Sequence, residues 1–129
     1  MLSSFIISLG SNLSFEDAHL NITKAESYLF DLFEGQISFS AHYETEGVGS
    51  GVGKMYVNSV AKGQTSLAAD DIRQALKEYE RNMGRTPEAK AQGIVPIDID
   101  LLSHGDIILK PKDLQQEYVL RGLRELESI

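Results

Sequence analysis

Six residues in the C-terminal third of the chain, Ile97-Asp98-Ile99-Asp100-Leu101-Leu102, constrain its architecture more than any other segment. With a period of two, Ile97, Ile99 and Leu101 fall on one face of a strand and Asp98 and Asp100 on the other. The apolar face must sit on a core. The acidic face must meet water or a ligand, because Asp is depleted in strands and like charges on one face repel. Same-face neighbours lie ~6.5–7 Å apart, a spacing from which two carboxylates can converge on one divalent cation or share a pair. Mg2+ takes one or two carboxylates and leaves its other octahedral positions to water and substrate phosphates. The pattern points to a Mg2+–phosphate site on the edge or open face of a sheet. The alternative, from these residues alone, is a solvated strand face with two surface aspartates.

The rest of the composition narrows the partners. At 129 residues the whole chain, 1–129, is expected to form one domain. A net charge of −7 argues against general nucleic-acid or anionic-membrane binding, yet leaves room for a nucleotide held by local cations and a metal. No cysteine is present, which excludes disulfides, thiolate metal sites and a cysteine nucleophile. His19, His42 and His104 lack ligand spacing and read as structural or surface residues. Met1–Gly10 has no basic residue and only a short apolar run, and no segment reaches membrane-spanning length, so a cytoplasmic protein is expected.

Periodicity orders the chain. Ser3–Leu9 predicts a strand ending in a turn at Gly10-Ser11-Asn12. Ser14 and Asp17 resemble a capping box, opening a helix with Ala18, Ile22, Ala25, Leu29 and Phe33 on one face and Glu34-Gly35 as its stop. Ile37, Phe39, Ala41 and Tyr43 alternate with polar residues as one half-buried strand. The glycine-rich stretch Gly47–Lys54 fails the Walker pattern, with Val48 and Met55 at required positions and the strand Tyr56–Val60 behind it; it reads as a mobile loop. Ser66 can cap a second helix with Ile72, Leu76, Tyr79 and Met83 inward, Lys77, Glu80 and Arg81 on a solvated side, and Gly84 at its end. Arg85–Pro96 reads as a polar loop leading into the acidic strand. The resulting order, β–α–β–β–α–β with a short addition, predicts an α+β, ferredoxin-like fold: a mainly antiparallel sheet, helices on one face, the other free to carry a site.

Several separated pieces then resemble one family. Ile6–Leu13, Tyr43-Glu44-Thr45, Tyr56–Val60, Glu80 through Gly84-Arg85 and Ile97–Leu102 are similar, in order and spacing, to segments of the 6-hydroxymethyl-7,8-dihydropterin pyrophosphokinases. The resemblance runs from residue 6 to about residue 126. It implies transfer of the β,γ-diphosphoryl unit of MgATP to the pterin hydroxymethyl group, with release of AMP, in folate biosynthesis. By the same resemblance, Asp98 and Asp100 would bind two Mg2+ ions, with Arg85 as a further catalytic residue. Thr45, Tyr56, Asn58 and Tyr118 would hold the reduced pterin. Lys77, Glu80 and Arg85 would lie on the nucleotide side, and the glycine-rich loop would close over ATP.

The chain also departs from that family. Pro87, Ala91 and Val95 stand where arginines are common, Gln92 replaces an aromatic, Gln116 an arginine and Gly122 a proline. Lys90, Lys110, Lys112, Arg121 and Arg124 are the cations that could compensate, although lysine lacks the guanidinium fork. A non-catalytic nucleotide- or pterin-binding relative, or a ferredoxin-like interaction domain, are the alternatives that this sequence leaves open.

Overall fold

Strand β1 (Ser3–Ser11) runs through the middle of the sheet in a computed structural model that describes residues 1–46 and 54–127. It is followed by α1 (Phe15–Leu32), β2 (Ile37–Phe39), β3 (Tyr43–Glu46), β4 (Met55–Thr65) and α2 (Ala69–Asn82). The remainder forms α3 (Pro87–Ala91), β5 (Asp98–His104), β6 (Ile107–Ile108), α4 (Pro111–Leu114) and α5 (Glu117–Glu127). The sheet order is β2-β4-β1-β5-β6, with β3 also on β4, and every pairing among the described residues is antiparallel. Apart from Lys54, the glycine-rich stretch lies outside the described residues.

Alternation along β1 divides the sheet into two chemically different faces. Phe5, Ile7 and Leu9 join Val57, Ala61, Ile99 and Leu101 beneath α1 and α2. On α1 the expected face, Ala18, Ile22, Ala25 and Leu29, is fully buried in this core. Its stop is a left-handed pair, Glu34 at φ 52° and Gly35 at φ 79°. The opposite face is apolar only at one end, where Ile6, Val60 and Leu102 pack against Val119 and Leu123 of α5. The expectation of helices on one face therefore gives way. The chain's tail forms α5 and covers the apolar half of the second face, leaving the half with Asp98 and Asp100 open.

Local departures have local causes. Ser14 is the N-cap of α1, but its hydroxyl donates to the Asp17 carboxylate (3.0 Å) and bonds no backbone N–H. Asp is one methylene short of the Glu that reaches back in a capping box. Ser66 does not cap α2. Thr65 accepts from the Leu67 N–H (3.1 Å), and Ala68 becomes the N-cap. The single strand expected over residues 37–43 is two strands, because Ser40–His42 face only Ser59 and Val60 across the ladder. Ser40 makes this bulge tolerable: its N–H donates to the Val60 carbonyl (2.8 Å), and its hydroxyl accepts from the Val60 N–H (2.9 Å). Within Arg85–Pro96, Thr86 caps a short helix by accepting from the Ala89 N–H (3.2 Å), with Pro87 at its first turn. The histidines are tied into the fold: His42 meets Glu26 at 3.2 Å and His19 at 2.9 Å, and His104 donates to the Leu67 carbonyl (2.9 Å).

One glycine is demanded by packing. A Cβ on Gly63 of β4 would lie 2.2 Å from the Gln36 carbonyl oxygen and 2.8 Å from the Phe5 ring. Gly63→Ala is expected to cost ~1–3 kcal/mol by forcing β2 off β4. The check is a lower denaturant midpoint at unchanged slope.

Candidate active site

The open half of the second face is assembled from four strands and the start of α5. Ser8 and Gly10 come from β1, Tyr56 and Asn58 from β4, Asp98 and Asp100 from β5, and Thr45 from β3. With Gln116 and Tyr118 they line a cleft of about 240 Å³. Gly10 stands opposite both Asn58 and Asp98, and a Cβ there would lie 2.9 Å from the Asn58 side-chain oxygen. The absent side chain makes room for Asn58, which is buried and donates to the Thr45 hydroxyl. Tyr118 is half-buried, and its hydroxyl shares a hydrogen bond with Ser8. Burial pushes that phenol up to about 12, aided by the charges of Asp98 and Asp100 and opposed by the Ser8 bond.

Beyond the aspartates opens a second cleft, about 930 Å³, lined by Lys77, Glu80, Arg81, Arg85, Lys90 and Lys110 among others. Asp98 and Asp100 are the two described residues that line both clefts. The structure thus brings Thr45, Tyr56, Asn58 and Tyr118 together on one side of the aspartate pair. It puts Lys77, Glu80 and Arg85 on the other.

Each carboxylate meets a cation. Arg85 Nη1 donates to Asp98 (2.5 Å) and to Glu80 (3.1 Å), and Lys110 Nζ donates to Asp100 (2.9 Å). Burial lowers the Arg85 pKa, but the Asp98 bond and the charges of Asp98, Glu80 and Asp100 outweigh it, so the net shift is upward. Lys110 is raised by its bond to Asp100. Asp100 is raised by desolvation and by the neighbouring Asp98 charge, against the pull of Lys110. Burial and the Asp98 charge thus weigh on ionised Asp100 even with Lys110 beside it.

Glu80 is buried, which corrects its expected place on a solvated side. Positions 72, 76 and 80 are spaced by four, so Glu80 shares the inward stripe of Ile72 and Leu76. Its carboxylate accepts from the Ile99 N–H of β5 (2.7 Å) and from Arg85. Burial lifts its pKa to about 7, with Asp98 adding to the rise and the Ile99 N–H and Arg85 opposing it. An ordinary carboxyl titrates near 4.5, so folding favours the protonated form. This stability contribution is complete below the unfolded value and is lost as pH rises through about 7. In the ligand-free protein, the Tm difference between Glu80→Gln and wild type is expected to move in the variant's favour from about pH 5 to about pH 8. A pH-independent difference would contradict the assignment.

Sequence reasoning missed Ser8 and Gly10, although the alternation of β1 puts them on the face opposite Phe5, Ile7 and Leu9. It also missed Asn12. That side chain ties the turn after β1 to the segment before β5, donating to the Gly93 carbonyl (2.8 Å) and accepting from the Val95 N–H (2.7 Å). Lys54 donates to the same Gly93 carbonyl (2.8 Å). Of the compensating cations, Lys90 and Lys110 reach the larger cleft, while Arg121 stacks over Tyr43 at 4.5 Å.

Two clefts of different lining therefore meet at one pair of strand carboxylates. The sequence profile of the 7,8-dihydro-6-hydroxymethylpterin-pyrophosphokinase family matches residues 6–128, and the chain belongs to that family. A 2-amino-4-hydroxy-6-hydroxymethyldihydropteridine pyrophosphokinase of Porphyromonas gingivalis is 34% identical over 101 residues, covering 76% of this chain and 67% of that protein. The folate synthesis bifunctional protein of Chlamydia trachomatis is 31% identical over 135 aligned residues, covering 93% of this chain and 29% of its relative. That of Arabidopsis thaliana is 30% identical over 100 residues, covering 78% and 20%. The chain spans less than a third of either bifunctional relative.

Proposed function

We propose that this chain transfers the β,γ-diphosphoryl unit of ATP to the hydroxymethyl oxygen of 6-hydroxymethyl-7,8-dihydropterin, releasing AMP. The observation that carries the reading is the sharing of Asp98 and Asp100 between the two clefts. Phosphoryl-type transfer requires positioning and electrostatic stabilisation more than covalent help from the protein. A site with one cleft per substrate and carboxylates at the junction meets that requirement. The pyrophosphokinase and folate-synthesis names of these relatives support the same chemistry.

In this reading the pterin occupies the smaller cleft. Asn58, oriented by Thr45, offers amide donors and an acceptor to the pterin's amide-like edge. Tyr56 and Tyr118 wall the flat ring. ATP occupies the larger cleft beside Lys77, Arg85, Lys90 and Lys110. Arg85 uses Nη1 for both Glu80 and Asp98, leaving its other donors for phosphate oxygens. Glu80 acts through Arg85, holding the guanidinium in place. Lys110, beside Asp100, serves as the cation that the family places elsewhere as arginine.

The carboxylates fit Mg2+. They are hard oxygen donors, and a cation would offset the burial and the Asp98 charge that weigh on ionised Asp100 beside Lys110. Among the described residues no cluster of three or more His, Cys, Asp or Glu is able to hold a metal. Mg2+ would need only these two carboxylates when phosphates and water complete its shell. Two Mg2+ ions arriving with ATP would supply charge neutralisation at the phosphate oxygens.

The fold in this reading is ferredoxin-like, with β2 and β3 as one bulged strand and β4 and β5 flanking β1, as supported by the sheet order. No helix among the described residues is long and apolar enough to cross a membrane. The reaction is tested by incubating the protein with MgATP and the hydroxymethyl dihydropterin and following AMP by chromatography. AMP formation that requires both substrates is expected. Metal-dependent ATP binding without AMP would replace the enzyme by a binding module.

A further inference from the structure

Helix α5 approaches the sheet tightly at a glycine, Gly122. A Cβ added to Gly122 would lie 2.7 Å from Val60 Cγ2, 2.8 Å from Val60 Cβ and 3.4 Å from Ser40 Cβ. None of these neighbours is the loose end of a flexible side chain. Val60 is fully buried and β-branched, which restricts its χ1. Its backbone pairs with Ser8 of β1 on one side and bonds Ser40 on the other. Glycine inside a helix costs ~1 kcal/mol relative to alanine, so its presence here points to what the missing side chain permits.

Tyr118 lies one turn before Gly122 and on the same side of the helix. Its hydroxyl meets Ser8, the residue directly across the ladder from Val60. The Gly122–Val60 and Tyr118–Ser8 contacts therefore rest on one cross-strand pair. The far end of α5 is fastened separately: Glu125 accepts from the Tyr43 hydroxyl (2.6 Å) and the Ala41 N–H (2.7 Å). With that end held, a side chain at position 122 lifts the end of α5 that carries Tyr118.

We infer that Gly122 is a positioning residue: its contact with Val60 sets the depth at which Tyr118 walls the smaller cleft, and hence affinity for the pterin. The effect on ligand rests on the pyrophosphokinase reading; the seating of Tyr118 does not. Two readouts separate them. In [13C]tyrosine NMR, with Tyr118 assigned through Tyr118→Phe, the phenol is expected to titrate near about 12 in the wild type. In Gly122→Ala it is expected to fall toward the ordinary value of about 10. By calorimetry, Gly122→Ala should raise the Kd for the hydroxymethyl pterin by roughly ten-fold while changing that for a non-hydrolysable MgATP analogue less than roughly two-fold. Adding Val60→Ala should restore both readouts. Val60→Ile fills the same space from the sheet side and gives the same readouts if Gly122→Ala does not fold. An unchanged Tyr118 titration, equal loss of both ligands, or no recovery with Val60→Ala would overturn the inference. A wild type that never binds the pterin, with the Tyr118 shift as expected, would overturn the functional reading and leave the seat standing.

Discussion

Replacing Asp98 or Asp100 by Ala should lower the rate of AMP formation by roughly 10³-fold. These are the two described residues common to both clefts, so no neighbouring group can take over at the junction. The loss should fall on kcat and on metal-dependent ATP binding. Pterin binding should change little, since Asn58 and Thr45 are held by each other. Asp100→Asn gives the sharpest version. Ionised Asp100 is penalised by burial and by Asp98, so removing its charge should leave the ligand-free Tm equal to or above that of the wild type. An inactive variant that is at least as stable would place the two carboxylates in function rather than folding. Substantial residual activity in either alanine variant would remove them from the reaction.

Arg85→Ala is the second large effect, expected at roughly 10²–10³-fold in kcat/KM for ATP. Arg85 joins the buried Glu80 to Asp98 through one nitrogen and faces the larger cleft. Arg85→Lys should recover little, because a point charge cannot keep both carboxylates and also present a fork to phosphate. A stability loss of ~1 kcal/mol should accompany the alanine variant, the pair being partly open to solvent and screened. Steady-state kinetics with each substrate varied in turn would check this assignment. Full rescue by lysine would show that only charge matters at this position.

Much of the architecture could be read from periodicity, since the residues that decide it are near one another in the chain. Ala18, Ile22, Ala25 and Leu29 needed only helical spacing to declare the buried face of α1. The bulge at Ser40 could not be read in this way. The alternation of Ile37, Phe39, Ala41 and Tyr43 is unbroken, and only pairing with β4 reveals the extra residue. The tail was visible as a row of apolar residues, but not the sheet face that would receive it. Glu80 is the instructive intermediate. Its spacing from Ile72 and Leu76 already put it inward, while its charge argued for solvent. The outcome turned on Ile99 and Arg85, distant groups able to satisfy a buried carboxylate.

The acidic strand shows the same division. By itself the sequence determined that Asp98 and Asp100 share a strand face, because a two-residue repeat is a property of the backbone. Only the tertiary structure decided that α5 covers the apolar half of that face and stops short of the aspartates. It alone joined two clefts at the pair and selected Lys110 as the cation beside Asp100. Those choices depend on which surfaces meet across the sheet, and packing and desolvation act between residues that chain order leaves far apart.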